Sequence, residues 1–81
     1  MKIKKNIAVN ESGFLFNPAT GDSFSANPIG SEIIRLIKDG KSNDEIRCII
    51  IKNYDVVSEA FEKDFYDFVS QLRDFKLLEE E

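Results

Sequence analysis

The apolar positions of this chain alternate in its first third and recur at helical spacing in the remainder. Over residues 2–9 (KIKKNIAV), Ile3, Ile7 and Val9 share one parity while Lys5 interrupts it, the pattern of an edge strand. NESG at 10–13 has turn chemistry, and GFLFN follows with Phe14 and Phe16 on one face and Leu15 on the other. NPATGD at 17–22 is a stronger turn, because Pro18 presets φ for its second position and Gly21 takes the left-handed conformation that closes a hairpin. SFSAN, 23–27, then points Phe24 and Ala26 one way and Ser23 and Ser25 the other. The pattern predicts three short antiparallel strands.

Helical spacing begins at residue 28. Asn27 is a good N-cap, Pro28 suits the first helical position, and Ile29, Ile33, Leu36 and Ile37 recur until Asp39-Gly40 stops the helix. Ser42 and Glu45 form a capping box that places a second helix at about 43–54. Its run CIII, 48–51, has the β-branched content of a buried strand, but the capping signal favours helix. Being apolar on most sides, this helix is expected in the middle of the packing, with Cys48 as a small buried apolar group. The third helix starts after Ser58 and runs to about Phe75. On a wheel of roughly 100° per residue, its Phe61, Phe65, Phe68, Val69, Leu72 and Phe75 span about 120°. The predicted fold is α+β, winged-helix-like: a three-stranded antiparallel sheet followed by three helices.

Composition narrows the function. At 81 residues the chain makes one domain with a single small core and little room for a buried active site. It has no apolar run of membrane-spanning length, its start MKIKK lacks a signal peptide's apolar stretch, and its one cysteine excludes an internal disulfide framework. A cytoplasmic location is expected. The chain has no histidine, no Gly-rich phosphate loop and no nucleophile elbow, so neither an enzyme nor a bound metal or cofactor is expected. A winged helix invites DNA, but the formal charge is −4. Over 58–75, Glu59, Glu62, Asp64, Asp67 and Asp74 outnumber Lys63 and Arg73, so the longest helix would repel phosphates. Asp64 and Asp67 read more simply as a solvated face than as an acid/base or metal pair. Lys2, Lys4 and Lys5 read as a solubilising edge, and Glu79, Glu80 and Glu81 as a disordered acidic tail.

LFNPATGDSFSAN, then Ile33-Ile34, DGKSNDEI, NYDV and EKDFYDFVSQL, closed by Leu77-Leu78, stand in one order over residues 14–78. Together they resemble the PqqD-like family of peptide-recognition domains in ribosomal peptide modification. Ala26 stands where that family usually has Leu, Ile34 where Trp is common, and Phe75-Lys76 where Lys-Gly precedes the last leucines. The resemblance implies one recognition domain over 1–78, with 79–81 as the tail. It implies a noncatalytic module that holds the leader segment of a precursor peptide as an added strand and presents it to a modifying enzyme, a radical SAM enzyme in many members. The implied partners are that peptide and that enzyme, with no nucleic acid and no membrane; the module is a monomer or a weak dimer.

The third strand carries its own argument for such a role. An unpaired strand edge is usually blunted by lysine, proline or a bulge, and residues 23–27 have none of these. Such an edge is either covered in the fold or used. The peptide-binding candidates are Phe24, Ser25 and Ala26 on the strand, with Asp64, Phe65, Phe68, Gln71 and Leu72 on the third helix. By the resemblance, Asp64 matches an acidic position able to pair with a basic leader residue. Any single apolar residue of that helix is also a candidate for plain core. A regulatory or scaffold subunit that grips an enzyme and no peptide is the alternative, and a winged-helix DNA-binding protein the remoter one.

Overall fold

The structure, a computed structural model, describes residues 1–79. Its elements are β1 (Ala8–Val9), β2 (Phe14–Asn17), β3 (Asp22–Ser25), α1 (Pro28–Lys38), α2 (Asn43–Tyr54) and α3 (Ser58–Asp74). The strands form one antiparallel sheet in the order β1-β2-β3, so β1 and β3 are its two edges. The α+β architecture is the one expected, and no helix among the described residues is long and apolar enough to cross a membrane.

The β2–β3 hairpin closes as the turn residues require. Thr20 and Gly21 both donate their N–H to the Asn17 carbonyl, at 3.3 and 2.8 Å, and Gly21 sits at φ +79°, where a side chain would be strained. Alternation then sorts the strand faces. Leu15 and Asn17 point inward and are buried, while Phe14 and Phe16 lie on the outer face and are about 40% exposed. Asn17 is polar yet buried, and its Oδ1 accepts the Ala19 N–H at 3.0 Å.

The first strand is shorter than its sequence pattern, because most of the segment pairs elsewhere. Residues 2–4 leave the sheet to meet the other end of the chain. Lys4 donates its N–H to Leu77, Ile3 bridges Leu78, and the Glu79 N–H reaches the Lys2 carbonyl at 2.8 Å. Glu79 is therefore tied down, against the expectation of a disordered tail; Glu80 and Glu81 lie outside the described residues.

The helix caps follow the sequence signals. Asn27 Oδ1 accepts the Gly30 N–H at 2.7 Å, and Ser42 and Glu45 exchange both bonds of the capping box. The N–H of Ser42 bonded to its carboxylate holds Glu45 below the usual carboxylate range. Packing departs from expectation. The central helix is α1, with Ile33, Ile34, Leu36 and Ile37 all buried, whereas α2 buries Ile46 and Ile50 and leaves Cys48 exposed. Consecutive residues of CIII point to different sides of the helix, and only one side of α2 faces its neighbours. Arg47 links α2 to α3 by pairing with Glu62, and pairs within α2 with Asp44 at 2.8 Å.

The end of α3 closes on a residue other than glycine. The Leu77 N–H reaches the Leu72 carbonyl and the Lys76 N–H the Arg73 carbonyl, both at 2.9 Å, a Schellman arrangement that places residue 76 in the left-handed region. Lys76 sits there at φ +58°, where α1 uses Gly40 at φ +84° for the same closure.

Candidate functional site

The β3 edge is open, and its register says which groups it offers. Ala26 donates its N–H to Gly13 at 2.9 Å, and Ser25 pairs with Phe14 and Phe24 with Leu15. Inward-bonding positions alternate in an antiparallel ladder, so residues 24 and 26 turn their backbone groups towards β2. Ser23 and Ser25 therefore turn both N–H and C=O outward. The Asn10 N–H donating to the Phe14 carbonyl at 3.0 Å agrees, since it shows Phe14 bonding towards β1 and away from Ser25. With their side chains exposed and uncharged, the two serines leave four backbone groups open to an incoming chain.

Beside this edge, a groove of about 380 Å³ runs along α3 against the first turns of α1. Ile29, Gly30 and Ile33 of α1 form one wall and Ala60, Phe61, Phe65 and Phe68 of α3 the other, with Asp64, Asp67 and Gln71 among its lining. Phe24 joins strand to groove: its ring lies 6.0 Å from that of Phe68 and 5.4 Å, edge-on, from that of Phe75. Phe61 and Phe65 stack at 5.3 Å further along. Such ring pairs contribute about 0.5–1.5 kcal/mol each beyond area burial, so the aromatic wall is a firm surface.

Of the eight candidates from sequence, Asp64, Phe65, Phe68 and Gln71 line the groove. Phe24 and Ala26 border it through Phe68 and Gly30, and Ser25 stands on the edge. Leu72 is apart from them. It has no exposed surface and belongs to the core, beneath the wall that the other α3 residues present. Asp64 and Asp67 are exposed and have no ion pair among the described residues, while Arg35 and Arg47 each pair with two carboxylates.

Sequence reading missed Gly30. A Cβ at this position would stand 2.9 Å from the Phe68 ring and 3.0 Å from the Ala26 Cβ, so α1 approaches both strand and α3 only because the side chain is absent. The signal was available, since a glycine inside a helix costs about 1 kcal/mol relative to alanine and invites a reason. Ala26 serves the same approach, its small side chain facing Gly30.

A larger hollow, about 770 Å³, lies across α1 beside the β1–β2 turn. Val9 of the two-residue β1 is the only strand residue in its lining, and its Arg35 is already paired with Glu32 and Asp39. Those exposed pairs satisfy the charge locally and raise the Arg35 pKa, first through the hydrogen bond to Glu32.

A comparison with curated proteins gave no significant match. Among solved structures, the chain is similar to one described as "TbiB1 in Complex with the TbiA(beta) Leader Peptide", with 31% identity and a TM-score of 0.89, over 100% of this chain and 98% of that one. The family model described as coenzyme PQQ synthesis protein D (PqqD) matches residues 12–78. That match takes in β2, β3, all three helices and the closing leucines, and so this chain belongs to the PqqD family.

Proposed function

We propose that this chain is a noncatalytic module that captures the leader segment of a ribosomally made precursor peptide as a fourth strand beside β3 and presents it to a modifying enzyme. The observation that carries the reading is the pair of outward-facing serines on an edge without lysine or proline, beside an apolar groove. The relative whose structure resembles this one so closely is described in complex with a leader peptide, which supports the same role here. Family membership makes a radical SAM enzyme the first partner to test.

The geometry divides the work between backbone and side chains. Ser23 and Ser25 supply two donors and two acceptors, and bonds of about 0.5–1.5 kcal/mol each only match the lower estimates of the roughly 4–15 kcal/mol cost of association. Micromolar binding needs about 8 kcal/mol beyond that. Buried apolar anchors supply the rest, at about 1.5–3 kcal/mol apiece. In an added strand, residues opposite Ser23 and Ser25 share the outer face with Phe14 and Phe16, and residues opposite Phe24 face the groove. The leader therefore places alternate apolar side chains against Phe24, Phe65 and Phe68. A basic side chain reaching Asp64 or Asp67 adds salt-sensitive selectivity.

The test is titration of isotope-labelled protein with the precursor leader encoded beside its gene. Amides of 23–27 and of 61–72 shift together if the strand adds where proposed. Shifts confined to residues 2–5 or to α2 would sink the docking. Binding to the modifying enzyme in gel filtration with no peptide binding at all would instead make the chain a scaffold subunit.

A further inference from the structure

Lys2, Lys4, Lys5 and Lys38 line one cleft of about 250 Å³, at the end of α1 away from the groove, over the buried side chains of Ile7 and Ile37. From this we infer a second docking site, one that takes a short Asp- or Glu-rich segment of a partner protein, with an apolar side chain seated between the acids.

Charge complementarity carries the inference. Among the described residues, none of the four lysines has a carboxylate within 4.0 Å, although the chain's net charge is −4 and Arg35 and Arg47 are each paired with two carboxylates. Edge protection accounts for lysines in the first segment, and a cation at position 38 suits the C-terminal end of α1. Neither accounts for an apolar cleft that all four share. Such a cleft, with no acidic residue in its lining, repels cations and attracts carboxylates. A nucleic-acid strand is a poorer occupant: the cleft has no aromatic lining for base stacking, and α3 repels phosphates.

Position gives the site a use. From Gly30 in the groove to Lys38 in the cleft is about 12 Å along α1, at roughly 1.5 Å per residue. A partner held at the cleft leaves β3 and α3 uncovered. This last step rests on the leader reading; the cleft itself does not.

The probe is a nonapeptide of three Glu-Glu-Leu repeats titrated into isotope-labelled full chain. Saturable shifts are expected in residues 2–5 and 37–40, with affinity falling about tenfold as salt rises towards roughly 0.5 M. A Lys4→Glu/Lys5→Glu variant loses about tenfold in affinity at an unchanged thermal midpoint, and prior addition of leader leaves the nonapeptide's affinity unaltered. If the leader fails to bind while the nonapeptide saturates the cleft, the proposed function falls and the cleft stands. Several results overturn the cleft: no saturable shift, shifts spread equally to Lys52 and Lys63, or tighter binding of a ribo-oligonucleotide of equal charge. A marked gain in affinity when Glu80 and Glu81 are deleted would also overturn it, because it would make the chain's own tail the occupant.

Discussion

The two edges of this small sheet are treated in opposite ways. The β1 edge is two residues long and is preceded by lysines, and its leading segment turns away to pair with Leu77, Leu78 and Glu79. Those are the ordinary defences of an edge against stray pairing. The β3 edge is twice as long, bears neither lysine nor proline, and turns the backbone of Ser23 and Ser25 to the outside. One sheet thus shows what protecting an edge takes, and β3 lacks those features where an aromatic groove lies alongside.

The largest expected effect separates the groove wall from what supports it. Leu72→Ala removes a fully buried side chain and lowers stability by about 2–5 kcal/mol in chemical denaturation. Leader affinity, measured on the fraction still folded, stays close to that of the parent. A change in affinity with stability intact would make Leu72 a contact after all. Next comes the edge itself. Ser25→Pro deletes an outward N–H and no ladder bond to β2, so calorimetry should show leader affinity about tenfold weaker, near 1.4 kcal/mol, with the helical circular dichroism retained. Lys5→Pro, on the closed side, leaves affinity unchanged; equal losses from the two variants would erase the distinction between the edges.

A smaller effect probes how the closed edge is held. Lys76→Gly relieves the left-handed backbone that delivers Leu77 and Leu78 to Lys4 and Ile3, and should raise stability by about 0.5–1 kcal/mol after the entropic cost of glycine. A loss would mean that the Lys76 side chain has a packing role. The smallest effect lies far from both edges. Glu45 has a folded pKa depressed by its capping bond to Ser42, so its stabilisation is present above the ordinary carboxylate value of 4.5 and is lost as pH falls through the lower folded value. Glu45→Gln keeps an acceptor and should make the fall of the thermal midpoint between roughly pH 5 and 3 slightly shallower, with leader binding at neutral pH unaffected.

Local chemistry was the legible part of this chain. Asn27, Pro28, the Ser42–Glu45 box and Asp39-Gly40 mark helix ends through bonds made within a few residues, and they held to within a residue. Burial depends on distant partners and was read less well. The run at 48–51 resembles a central helix, yet α1 takes the centre because sheet, α2 and α3 all compete for its aliphatic side. The first strand was overextended because nothing in KIKK announces that the last residues of the chain will draw it off. On α3, aromatic spacing puts Phe65, Phe68 and Leu72 on one arc, of which the first two line the groove and the third lies deeper, in the core. Gly30 escaped because its contribution is the space it leaves.

Amide hydrogen exchange at individual β3 residues, without and with the leader, tests the central claim most directly. In the chain alone, Phe24 and Ala26 exchange slowly within the ladder while Ser23 and Ser25 exchange as fast as unstructured amides; on addition of leader the serines become protected. Serines already protected in the free protein, through a second copy or its own chain, or serines still unprotected under saturating leader, would contradict the account.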